Sequence, residues 1–114
     1  MKVLFHPEFP KDQRKFQEDY AAISEGLGTR FRQEIDEAIE AIKASPTGAG
    51  HFINTGSTVV SEFRRRNLRA FPFFVLYGCT ADTLIFGSII PTRSDPLNWL
   101  TRFGGRRRSE EVRL

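Results

Sequence analysis

Phe71-Pro72-Phe73-Phe74-Val75-Leu76-Tyr77-Gly78-Cys79 is the stretch whose reading decides the fold. Side chains of a strand alternate between two faces, and here both alternating sets are apolar, so such a strand needs cover on both sides. Leu84-Ile85-Phe86 and Ile89-Ile90 have the same character, and a further strand-like run precedes them at about 58–66. The connections, Asn67 to Ala70 and Ala81-Asp82, are short enough for antiparallel hairpins. The three runs, at about 58–66, 71–79 and 83–90, therefore read as a meander.

Working outward towards the N-terminus, Phe9, Phe16, Tyr20 and Ile23 recur with polar residues between them, which predicts an amphipathic helix over about 8–24. Gly26 is read as its terminator. Leu27, Phe31, Ile35, Ile39 and Ile42 repeat the pattern from Gly28-Thr29 to Ser45-Pro46, and the short joint makes the pair an antiparallel helical hairpin on one side of the sheet. Residues 2–6 read as a first strand beside the last one, and residues 46–57, rich in turn formers, as a loop. Beyond the meander, Asp95 can cap and Pro96 can open a short helix through Trp99. The expected architecture is α+β: an N-terminal strand, a helical hairpin, a three-stranded antiparallel meander and a short C-terminal helix. One domain spans 1–103, and 104–114 read as a charged tail.

Two helices cover only one side of such a sheet. Either the segment around Trp99 closes the other side, or an apolar patch stays open there as a partner site.

Composition agrees with a single folded domain of 114 residues: 39% are hydrophobic, 27% are charged, and eleven phenylalanines supply large buried faces. The sequence has no run of the roughly 18 apolar residues that a membrane-spanning helix needs. The N-terminus is too poor in apolar residues for a secretion signal, and a lone Cys79 fits a reducing compartment, so a cytoplasmic location is expected. His6 and His51 have no Cys or His at ligand spacing, so neither a metal nor any other cofactor is expected.

The net charge of +3 is modest, but its distribution is not even. All four lysines lie within the first 43 residues, whereas ten of thirteen arginines lie from Arg64 onward. Arginine offers a planar fork of donors to phosphate or carboxylate, so a lysine-free arginine half suggests a surface that grips anions, of nucleic acid or of an acidic protein. Arg66, Arg69 and Arg93 fall near connections that can bring them to one end of the sheet. If Phe63 faces the helices, alternation puts Glu62, Arg64 and Arg66 on the opposite face.

Several local motifs occur in a telling order: Gly26-Leu27-Gly28-Thr29-Arg30-Phe31, Ile42 through Pro46, Arg69-Ala70-Phe71-Pro72-Phe73, Tyr77, and Arg93-Ser94-Asp95-Pro96-Leu97-Asn98-Trp99. In this order the chain resembles the RelE/ParE superfamily of bacterial type II toxin-antitoxin toxins, over about residues 2–100. The resemblance implies a growth-inhibiting toxin of the plasmid-stabilization type, held inactive by a cognate antitoxin whose partly disordered C-terminal segment folds onto it. Phe73, Val75, Tyr77 and Trp99 are the expected antitoxin contacts, and Arg64, Arg66, Arg69 and Arg93 the expected target- or phosphate-binding residues.

RelE-like members cleave mRNA on the ribosome and ParE-like members inhibit DNA gyrase. Cleavage through a 2′-hydroxyl needs a proton acceptor and a proton donor, and arginine is neither near neutral pH. The C-terminal half offers Glu62, Tyr77 and little else that titrates, with His51 in the loop before it, and Pro91 stands where many relatives carry a histidine. The expected action is therefore ParE-like and no catalytic residue is assigned. Ribosome-dependent mRNA cleavage and a non-toxic protein- or nucleic-acid-binding relative are the alternatives.

Overall fold

The computed structural model describes residues 1–53 and 62–93, with the backbone alone at 51–53. Strand β1 (Lys2–Phe5) leads through His6-Pro7 into helix α1 (Glu8–Ile23), followed by α2 (Glu25–Ala44). Proline at the helix entrance lacks the N–H that would be orphaned there, and the Glu8 N–H donates to His6 Nδ1 at 3.0 Å. Phe9 is buried, and Phe16 and Tyr20 pack beside it on the core.

The joint between the helices is Ser24 alone, in extended conformation (φ −160°, ψ 132°). Its N–H donates to the Tyr20 carbonyl at 3.0 Å, closing α1, and its own carbonyl accepts from Leu27 and Gly28, opening α2. Gly26 is therefore not the terminator expected of it: it sits in the first turn of α2, which starts three residues before the expected Gly28. Gly28 is the glycine the hairpin requires. A Cβ there would lie 2.8 Å from the Ala21 Cβ, so its absence lets the two helices touch. Phe31, Ile35, Ala38 and Ile42 then form the buried stripe of α2.

The sheet contains β2 (His51–Ile53), β3 (Glu62–Asn67), β4 (Phe73–Cys79) and β5 (Thr83–Pro91), in the order β1-β5-β4-β3-β2. The meander β3-β4-β5 is antiparallel as expected, and β1 lies beside β5, to which it runs parallel. The expected 46–57 loop contains β2, a strand created by pairing with β3 rather than by its own composition. The expected helix at 95–100, with Trp99, lies outside the described residues.

β4 has all seven residues buried. Phe73, Val75, Tyr77 and Cys79 face the helices together with Leu84, Phe86 and Ile89, whereas Phe74 and Leu76 group with Phe63, Ile85 and Ile90 on the other side. On β5 the helix-facing set switches from even to odd numbers between Phe86 and Ile89. A bulge does this: Tyr77 pairs with Phe86 and Leu76 with Ser88, leaving Gly87 as the extra residue. Phe74, Leu76 and Ile90 are each 0% exposed, so the far side of the sheet is sealed and offers no open apolar patch over these residues.

Candidate functional site

β3 carries three consecutive arginines, and its register fixes where each points. Arg64 stands opposite Tyr77 and Arg66 opposite Val75, both helix-facing, whereas Phe63 belongs to the far-side cluster. Directly opposed residues share a face, so Glu62, Arg64 and Arg66 lie on the helix side, the reverse of the expected orientation. Phe63 is the only apolar residue of β3, and it turns towards Phe74 and Leu76 rather than the helices.

Residues 46–50 lie over the helix-side face of β3, and three side chains hold them by their carbonyls. Tyr77 Oη donates to the Pro46 carbonyl at 2.6 Å, Arg66 Nη1 to that of Ala49 at 2.7 Å, and Arg64 Nη1 to that of Gly50 at 2.8 Å. Gly50 must be glycine, because a methyl group there would overlap the Tyr77 hydroxyl. Arg64 Nε also bonds the Glu62 carboxylate. Tyr77 is fully buried, and this burial pushes its phenol up to about 12. Burial and the nearby Glu62 carboxylate likewise raise the Cys79 thiol.

On the far side, the Arg65 guanidinium lies over the Phe74 ring, 3.9 Å from its centroid, and donates to Asn67 Oδ1. Arg65 thus shields Phe74 while its charged end stays partly wet.

Arg69 and Arg93 differ from these. Arg69 lies in the turn between β3 and β4 with its side chain 76% exposed, paired at 2.7 Å with Glu37, itself 60% exposed. Arg93 is exposed two residues beyond Pro91, where Phe73 pairs with Pro91 and the Thr92 N–H donates to the Pro72 carbonyl at 3.0 Å. Both arginines therefore stand at the same end of the sheet, either side of the start of β4. A shallow depression opens beside Arg69, lined by Glu34, Glu37, Ala38, Arg66, Asn67, Leu68 and Arg69.

The four expected binding arginines thus divide: Arg64 and Arg66 are committed to the 46–50 segment, whereas Arg69 and Arg93 are presented outward. Of the four expected antitoxin contacts, Phe73, Val75 and Tyr77 are buried under the helices, so a partner docking on the closed fold does not reach their side chains, and Trp99 lies outside the described residues. Sequence reading missed Glu34. It is buried in mid-helix, and its Oε1 accepts the N–H groups of Arg69 and Ala70 at 2.9 and 3.1 Å. Its spacing was the available signal, because three residues after Phe31 and four before Ala38 puts it on the apolar stripe.

Among the described residues, no three His, Cys, Asp or Glu side chains are grouped to hold a metal ion, and no helix is long and apolar enough to cross a membrane. Chemically, the exposed Arg69 and Arg93 present guanidinium donors to solvent at this end of the sheet.

No family model and no curated protein matches the sequence. The fold, however, is similar to that of a chain in a solved structure described as a chromosomal ParDE TA system from P. aeruginosa, with a TM-score of 0.63 at 18% identity. The match spans 80% of this chain and 95% of that one. The fold of this chain, an N-terminal strand, two helices and a three-stranded antiparallel meander, is thus α+β and like that of this ParDE neighbour.

Proposed function

We propose that the protein is the toxin of a toxin-antitoxin pair, a cytoplasmic growth inhibitor silenced by a cognate antitoxin and acting in the ParE manner on DNA gyrase. The observation that carries this reading is the fold likeness to a chain of a ParDE TA system, which extends over 95% of that neighbour. The motifs from Gly26 to Trp99 lend it independent support, since they follow the order of the family along one chain.

Two features suit antitoxin binding. β1 is an edge strand whose Val3, Leu4 and Phe5 are exposed, and a disordered segment that folds on binding can add a strand to such an edge. Carboxylates of the same segment can meet Arg69 and Arg93.

The choice of gyrase over mRNA rests on proton chemistry. RNA cleavage needs a group that takes a proton and one that gives it. The Tyr77 hydroxyl is spent on the Pro46 carbonyl and sits at about 12, and Glu62 is paired with Arg64. Binding a protein target requires shape and charge but no proton shuttle. The test is to titrate the purified chain into a gyrase supercoiling reaction and, in parallel, into programmed ribosomes. Loss of supercoiling with intact mRNA is the expected result. Ribosome-dependent cutting of mRNA with supercoiling unchanged replaces the reading by the RelE-like one, and no effect in either assay leaves a non-toxic binder.

A further inference from the structure

The turn that presents Arg69 is held from α2 by two carboxylates one helical turn apart. Glu37 pairs with the guanidinium, and Glu34 takes the two backbone N–H groups of Arg69 and Ala70. The two grips differ in kind. The Glu37 pair is exposed, and exposed ion pairs hold little. Glu34 is 7% exposed, and burying a carboxylate is costly unless it is well bonded. Arg69 and Ala70 are both exposed, and the N–H groups of an exposed turn are ordinarily satisfied by water. Water would leave the turn free to re-orient, whereas a carboxylate anchored between Phe31 and Ile35 on the packed stripe of α2 fixes it. The same turn is tied at its base by the Leu68 N–H to the Phe73 carbonyl at 2.9 Å, so the added bonds restrain its tip.

We infer that Glu34 is a positioning residue: it fixes the Arg69-Ala70 turn so that the Arg69 guanidinium stands ready at the target-facing end of the sheet. Its functional consequence rests on the toxin reading above. Both N–H bonds end on a single oxygen, Oε1, so a glutamine carbonyl can replace it, whereas alanine cannot and aspartate is one methylene short.

The test uses the intact chain and the variants Glu34→Gln, Glu34→Ala, Arg69→Ala and Glu34→Ala with Arg69→Ala, with Glu34→Asp standing in if Glu34→Ala does not fold. Amide hydrogen exchange by NMR is expected to show the Arg69 and Ala70 protection retained in Glu34→Gln and reduced about tenfold or more in Glu34→Ala, with protection in β4 unchanged. Growth arrest on induced expression is expected to persist in Glu34→Gln and to weaken in Glu34→Ala. The double variant should be no weaker than Arg69→Ala alone, because a residue acting only through Arg69 adds nothing once Arg69 is gone. Unchanged exchange at Arg69 and Ala70 in Glu34→Ala overturns the inference. So does lost protection with undiminished growth arrest, or a double variant weaker than either single one, which marks a general structural role. If the parent chain arrests no growth, the toxin reading fails, and the exchange arm by itself upholds or overturns the hold of Glu34 on the turn.

Discussion

β3 and β4 are hydrogen-bonded neighbours, yet they are closed by different chemistry. β4 is sealed by packing: its seven residues are buried, one set under the helices and the other against Phe63 and Ile90. β3 is sealed by polar bonds: Arg64 and Arg66 reach the Gly50 and Ala49 carbonyls, and Arg65 lies over Phe74. A run of arginines therefore does not by itself signal a surface for anions. A guanidinium placed where a loop crosses the face of a sheet satisfies backbone carbonyls that would otherwise lack donors, and its long stem adds cover. Of the four arginines expected to bind, Arg69 and Arg93 are the two that lie beyond the strand ends, exposed.

The strongest way to break this comparison is at β4. Phe74→Ala should cost about 3–5 kcal/mol in urea denaturation, the range for a fully buried phenylalanine. A loss below about 1 kcal/mol would mean that the far side is open after all. Next, Arg66→Ala should cost about 1–2 kcal/mol, by removing a charged donor from the Ala49 carbonyl, and should speed proteolysis within 46–50. A surface arginine would cost almost nothing.

Tyr77→Phe is the milder version at the same segment, about 1 kcal/mol at neutral pH. It also has a pH signature. The Tyr77 phenol titrates near 12 in the folded protein against 10 for a free tyrosine, so folding favours its neutral form. That contribution is complete below about pH 10 and is lost as pH rises from there through about 12. Absorbance titration of tyrosinate should show a late step that Tyr77→Phe removes, and the variant should lose less stability over that interval than the parent. The smallest effect on stability belongs to the outward residues. Arg69→Ala should change the unfolding free energy by no more than about 0.5 kcal/mol while weakening growth arrest, which separates a binding arginine from a structural one.

Much of this was legible in the residues. α1, β4 and β5 fall within two residues of their expected limits, because long periodic or wholly apolar segments leave little choice. β2 was not, since three residues between turn formers become a strand only by pairing with β3. The orientation of β3 was also hidden: alternation separates Phe63 from Arg64 but does not say which side holds the helices. The parity switch in β5 needed the Gly87 bulge, which its sequence alone does not announce. At the site, the hairpins suggested that Arg66, Arg69 and Arg93 share one end; Arg69 and Arg93 stand exposed there, whereas Arg66 is bonded to the Ala49 carbonyl. The hairpins gave no hint that residues 46–50 would claim Arg64 and Arg66, because that depends on a long-range contact of the segment after α2. Glu34 shows the same effect in reverse: its place on the apolar stripe was visible, but its partners lie 35 and 36 residues away.

Growth after induced expression of the intact chain, in cells without its antitoxin, tests the central claim most directly. Arrest within a few generations is expected, relieved when Arg69→Ala and Arg93→Ala are combined in a chain that still folds with the parent's denaturation midpoint. Growth at the uninduced rate by the parent chain, or full arrest by the combined variant, would contradict that claim.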